Sequence, residues 1–337
     1  MHHLEEPGGM RVDDRALNVL DNYEWKVLRT WKGRGAILFE TNNGTKILKE
    51  YIGPVEKVSL QDQLIHHMKD KGISNIDAFE RNKEGEIISY DRDHRPYIVK
   101  EYIDGRDCNI WDVEECKNTA QHLAKLHKAM EMNTEKECIF LPVPQINREY
   151  EKHNKELKRI RNFIRGKGQK TDFEIFLLHH YDTFYDQAVS LYQQIQQQDW
   201  TPLYEEVKSK GTMCHGDYQY HNIHMNDSGI AVINFEKYAL DVQIKDLYLF
   251  MRKVLEKNLW DVRLGDEILT AYESEKPLNP LERRQLYYRF TYPEKFWKIV
   301  NFYYNSGKSW IPMRHMDKLE KLIAQEPARK QFLQIFS

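Results

Sequence analysis

The chain has 337 residues, with 50 Lys and Arg against 52 Asp and Glu, a formal charge of −2 and 12% aromatic residues. At roughly 100–200 residues per domain the length predicts two domains or one two-lobed domain, and the near-neutral charge excludes a basic nucleic-acid arm or an acidic solvating tail. The longest apolar runs, 174–178 and 229–235, fall far short of the ~20 residues that cross a bilayer, so neither nucleic acid nor membrane is an expected partner.

Residues 1–12, with His2, His3, Pro7, Gly8 and Gly9, show no periodicity and no apolar h-region. They read as a disordered leader and not as a secretory signal, so export is not expected. The folded part is expected to begin at residue 13. GAILFET and TKILKEY, flanking Asn42-Asn43-Gly44, spell a β-hairpin. Val55, Val58, Leu64, Ile65 and Met68 then recur at helical spacing up to Gly72. Two further strands are predicted at 85–90 and 96–103, joined by Asp91-Arg92-Asp93. Residues 13–104 thus read as a strand-rich lobe with one helix.

From 105 to 337 the pattern is helical, with periodicity over 113–131, 147–165, 172–197, 243–259, 264–274, 280–305 and 316–335. The exception is 211–240, where Ile223–Met225 and Ile230–Asn234 read as a tight hairpin across Asn226-Asp227-Ser228-Gly229. The predicted class is α+β. Cys108, Cys116, Cys138 and Cys214 form no C-x-x-C pair, which predicts reduced core thiols and neither a zinc knuckle nor a disulfide framework.

The chemistry concentrates in His215-Gly216-Asp217-Tyr218-Gln219-Tyr220-His221-Asn222 and in Ile233-Asn234-Phe235-Glu236 after the hairpin. Phosphoryl transfer uses this spacing: an Asp accepts a hydroxyl proton, an Asn holds Mg²⁺, and an acidic residue on the next strand end holds the metal against the phosphates. A lysine must also hold the α- and β-phosphates, and Lys49 sits on a strand after a turn. Lys46 is its rival on the same strand.

These residues, with Leu126-His127 at a helix end, resemble the aminoglycoside-phosphotransferase and choline-kinase branch of the protein-kinase-like fold, a two-lobed fold with a strand-rich N-lobe and a larger helical C-lobe. Within that branch the chain resembles the CotS family of endospore coat proteins, on the text of 97–107, 233–261 and 271–297. The likeness runs over roughly residues 15–335. It implies Asp217 as catalytic base, Asn222 as second metal ligand and Lys49 as phosphate lysine. It further implies Lys100–Ile103 as the hinge that meets adenine through Glu101 and Ile103, and Asp246 and His215 as braces of the catalytic loop. ATP and Mg²⁺ would be the cofactors and a small-molecule hydroxyl the acceptor. The resemblance also implies synthesis in the mother cell, deposition on the endospore coat, and other coat proteins as partners.

The chain departs from that pattern at three places. Asn234 replaces the metal-binding Asp, and a neutral amide brings no charge to a hard cation. Gln61 stands where a helix Glu should orient Lys49, with Glu56 and Asp62 out of register. The glycine loop is reduced to Gly33-Arg34-Gly35, with Leu38 in place of a third glycine. In an extended strand Asn234 and Glu236 would share a face, so Glu236 is the candidate replacement carboxylate. The expected function is therefore a spore coat protein of structural or scaffold role with a degenerate phosphotransferase site. The alternatives are an active ATP·Mg-dependent phosphotransferase and a nucleotide-sensing pseudokinase.

The remaining features have plainer readings. His215, His221 and His224 read as loop and strand residues, without zinc spacing. Arg165–Thr171 lacks the glycine and leading strand of a P-loop. The basic run 152–170 reads as a solvated helix face. The aromatic stretch 287–310 reads mostly as helical core, with an outward minority as a partner surface.

Overall fold

The computed structural model describes residues 14–33, 35–132, 141–305 and 312–336; the leader, Arg34, Cys138 and Trp310 lie outside them. In chain order the first elements are α1 (Asp14–Leu17), β1 (Val27–Gly33), β2 (Ala36–Thr41), β3 (Gly44–Glu50), α2 (Val55–Asp70), β4 (Phe79–Glu80), β5 (Ile88–Tyr90), β6 (Pro96–Glu101) and β7 (Arg106–Asp107). Then follow α3 (Val113–Ala129), α4 (Ile146–Gly166), α5 (Asp172–Gln197), α6 (Thr201–Lys210), β8 (Met213–Cys214), β9 (Ile223–Asn226), β10 (Gly229–Val232) and β11 (Ala239–Leu240). The last are α7 (Ile244–Lys257), α8 (Val262–Glu275), α9 (Pro280–Thr291), α10 (Glu294–Asn305) and α11 (Pro312–Phe332). Contacts divide the chain into two units, one running to Asp107 and taking in Asn222–Glu236, the other formed by Cys108–His221 and the chain from Lys237 onward.

The first unit is built on an antiparallel sheet in the order β1-β2-β3-β6-β4, with β5 also on β6. Strand alternation sorts its side chains. Leu48, Tyr97 and Val99 pack with Val19, Leu20, Tyr23 and Phe39 on one face. Ile98 packs with Val58 of α2, Ile87 and Ile88 on the other. The expected hairpin forms with Thr41 opposite Gly44, where Gly44 takes φ 85, a conformation that favours glycine. The later hairpin, expected within the helical lobe, makes its contacts in this first unit. There β9 pairs β7 through Arg106↔Met225 and Asp107↔His224, and Val232 bridges Ile76.

The second unit is helical apart from the β8–β11 pair. Its largest apolar cluster joins Leu157, Ile160 and Ile164 of α4, Phe173, Leu177, Tyr181 and Phe184 of α5, Phe296, Ile299 and Val300 of α10, and Leu319 of α11. Helix starts follow side-chain caps: Asp112 for α3, and full capping boxes Thr171/Glu174 for α5 and Asn279/Glu282 for α9. Thr171 is thus a helix cap, which accounts for the P-loop-like text before it.

The single helix expected over 280–305 is two, because Pro293 drives Tyr292 to extended backbone with ψ 134. α6, a short helix with Pro202 in its first turn and Gly211 closing it at φ 61, was not among the expected helices. Nor was β1 among the expected strands. Of the aromatic stretch, Tyr288, Phe290, Tyr292 and Phe296 are buried and Phe302 is exposed. Tyr292 stacks on Tyr150 with ring centres 3.8 Å apart, so these members of the stretch are core and Phe302 belongs to the expected outward minority. In the basic run, Lys155 pairs Glu151, Arg161 pairs Asp182 and Lys167 pairs Glu174. Cys108, Cys116 and Cys214 are buried free thiols.

Candidate functional site

The candidate residues fall into two groups, one in each unit. In the first unit Lys49 leaves β3 on the face that carries Ile98. Its Nζ donates to Asn234 Oδ1 at 2.6 Å and to Glu236 Oε1 at 3.3 Å. Asn234 Nδ2 donates to Asn222 Oδ1 at 2.9 Å. Lys46 leaves the opposite face, paired with Glu80 and lying over the Trp25 ring, as strand parity requires.

Asn234 does not sit in an extended strand. It takes φ 68, a left-handed conformation that Asn tolerates better than most residues, and Phe235–Lys237 form a 3₁₀ turn. The expectation that alternation aligns residues 234 and 236 is therefore corrected: the turn, not a strand, brings both to Lys49. The backbone N–H of Asn234 is held by Asp77 at 3.1 Å.

Sequence reasoning named Lys100 only as the start of the hinge and missed Asp77. Lys100 is fully buried and pairs Asp77 at 2.7 Å and Glu236 at 3.4 Å. Burial opposes its charge, yet these two carboxylates hold its pKa above the ordinary value. Burial also works against the Glu236 carboxylate, but Lys100 and Lys49 outweigh it and pull its pKa to about 2. The available signal was a lysine inside the apolar run Tyr97-Ile98-Val99-Lys100.

Gln61 is buried in α2, its Nε2 without a partner among the described residues. Asp62 pairs Arg81, so no α2 carboxylate reaches Lys49 among those residues. In the hinge segment Glu101 N–H donates to Ala78 O and Tyr102 N–H to Thr45 O. The Ile103 carbonyl accepts from His224 Nδ1 at 3.1 Å. A cavity of about 440 Å³ is lined by Gly33, Gly35, Ala36, Leu48 and Lys49. Leu38 fills the space over Gly33, where an added Cβ would lie 2.4 Å from Leu38 Cδ1.

In the second unit the His215–Asp217 loop hangs on Asp246. This buried carboxylate accepts His215 N–H at 2.6 Å and Gly216 N–H at 2.9 Å, and meets His127 Nε2 at 3.4 Å. Burial opposes its charge, but His127 and His215 keep its pKa low. His127, held neutral by burial, bonds the Tyr272 hydroxyl at 2.8 Å through Nδ1. Gly216 adopts φ 79, and a Cβ there would lie 2.1 Å from the Lys237 carbonyl oxygen.

Asp217 N–H donates to His215 Nδ1 at 3.1 Å. Its carboxylate accepts from Gln219 Nε2 at 2.9 Å and pairs with Lys237 Nζ at 2.8 Å. Neither oxygen stands free of a donor, though Lys237 is exposed.

An ATP phosphate suits Lys49. Mg²⁺ does not suit the donor set: Asn222 and Asn234 are amides, the Asn234 oxygen already accepts from Lys49, and Glu236 is shared by two lysines. No group of three or more His, Cys, Asp or Glu able to hold a metal forms among the described residues.

The family model described as "Spore coat putative kinase YutH" matches residues 17–336. Spore coat protein S of Bacillus subtilis (strain 168) is 20% identical over 305 residues, covering 89% of this chain and 86% of that one. Among solved structures, the aminoglycoside phosphotransferase from Alicyclobacillus acidocaldarius superposes with TM-score 0.83 at 18% identity, over 98% of this chain and 96% of that one. Spectinomycin phosphotransferase APH(9)-Ia, crystallised with ADP and spectinomycin, gives 0.66 at 13% identity over 97% and 100%. The fold is the protein-kinase-like α+β fold of these phosphotransferases.

Proposed function

Because the chain belongs to the spore coat putative kinase YutH family, we propose that it serves the endospore coat as a structural or scaffold component whose kinase-like phosphotransferase site is degenerate. One observation carries this reading. Around Lys49 the charges cancel, Lys49 and Lys100 against Glu236 and Asp77, while positions 222 and 234 are neutral amides. Nothing negative is left over for a divalent cation, which Mg²⁺ sites supply through carboxylates and phosphates. In this reading the protein is made in the mother cell and joins other coat proteins as a binding or packing module.

A second reading, active transfer of phosphate from ATP to a small hydroxyl compound with Asp217 as base, is favoured by Glu236. That carboxylate stays ionised 3.3 Å from Lys49. Turnover of ATP with Mg²⁺ separates the two. The scaffold reading expects the wild type at background and a rise of at least tenfold in Asn234→Asp. Wild-type turnover that disappears in both Asp217→Ala and Glu236→Gln would establish the second reading instead.

A further inference from the structure

Within the helical unit Asp217 and Gln219 line a cavity of about 440 Å³ whose other walls carry Arg252, Lys253, Lys295, Lys298 and Lys318. Five cationic side chains thus share the lining with one carboxylate. Internal pairing neutralises some of them: Glu256 bonds Arg252 at 2.6 Å and Lys295 at 3.0 Å, and Lys298 pairs Glu294. It leaves others over. Lys253 and Lys318 meet no carboxylate among the described residues; Lys318 lies 5.8 Å from the Phe302 ring centre. Arg252 is 5% exposed, and its Nε has no acceptor among those residues.

A buried donor left unpaired is costly, and cations crowded together repel one another. Lys253 registers the crowding: burial, then Arg252, Lys295 and Lys298, depress its pKa below the usual lysine value despite Glu256 nearby. A bound anion would relieve each of these costs together. An aminoglycoside, whose ammonium groups call for carboxylates, meets the wrong sign here.

We infer that this cavity takes a small anionic hydroxyl compound, a polyol or sugar bearing phosphate or carboxylate groups, with its hydroxyl toward Asp217. The inference rests on the reading of Asp217 as the acceptor-side carboxylate of a kinase-like site, and it concerns recognition whether or not transfer follows.

The test is calorimetric titration of the full chain, without nucleotide, using glucose 6-phosphate and glycerol 3-phosphate against glucose, glycerol and kanamycin. At least one phosphorylated probe should bind tenfold or more tightly than its neutral counterpart and than kanamycin. Its affinity should fall roughly tenfold for each of Lys253→Ala and Lys318→Ala, the scale of a charge-assisted hydrogen bond. Binding of ADP should be unchanged in both variants, which also shows that they fold. Equal binding of neutral probes, preference for kanamycin, or anion binding indifferent to both substitutions would overturn the inference. Parallel loss of ADP binding would also overturn it, by assigning these cations to the nucleotide's own phosphates. Charge-dependent binding without ATP turnover would remove only the active-kinase reading. Turnover on a neutral sugar would remove only this inference.

Discussion

At the scale of single residues, the catalytic-type loop depends on two positions that touch no expected substrate. Asp246 is buried and receives two backbone N–H groups. Replacing it by alanine orphans both donors together with His127. Asp246→Ala should cost about 3–4 kcal/mol, read from the urea midpoint; a loss under about 1 kcal/mol would show that the loop does not hang on this carboxylate. Gly216→Ala brings a Cβ within 2.1 Å of a backbone oxygen at φ 79, so it should cost about 2 kcal/mol or more. An unchanged melting temperature would contradict that placement. Motif spacing singled out Asp217, Asn222 and Lys49 in the sequence as candidates. The pairing of Lys100 with Asp77 was not legible, because a buried ion pair between distant strands leaves no local pattern. The role of Asn234 was read on the wrong geometry, since a left-handed residue interrupts the strand that parity arguments assume.

At the scale of elements, the helices of the second unit hold buried and half-buried histidines in their neutral form. Burial depresses the pKa of His122 and His127 in α3 and of His153 in α4, that of His122 to about 4. The ordinary value is 6.5, so as pH falls below it the unfolded chain takes up protons that the folded chain refuses. Stability therefore falls with pH from about 6.5 toward 4, at up to about 1.4 kcal/mol per pH unit for each proton. The urea midpoint should be lower at pH 5.5 than at pH 7, and a midpoint equal or higher at pH 5.5 would contradict neutral burial. Hydrophobic period and cap chemistry revealed most of these helices. The break at Tyr292 was hidden because aromatic periodicity runs across Pro293, and α6 was hidden because ten residues give too few turns for a period to stand out.

At the scale of the whole molecule, the family and the fold set the chain among spore coat proteins with a kinase-like architecture, and around Lys49 its charges balance internally. Lys49 and Lys100 are answered by Glu236 and Asp77, so Lys49 is held by protein groups alone. That balance was only half legible: the sequence showed the missing charge at Asn234, but not that a second lysine would claim Glu236. Of the chain's 20 tyrosines, Tyr150, Tyr181, Tyr218, Tyr272 and Tyr292 are fully buried in the packing, while Tyr90 and Tyr102 are exposed. The degenerate-site account is tested most directly by the thermal shift of the full chain with ATP, with and without Mg²⁺, in the wild type and in Asn234→Asp. It predicts that Mg²⁺ adds nothing to the wild-type shift and adds several degrees in the variant. A large Mg²⁺-dependent stabilisation of the wild type, absent in Glu236→Gln, would contradict it.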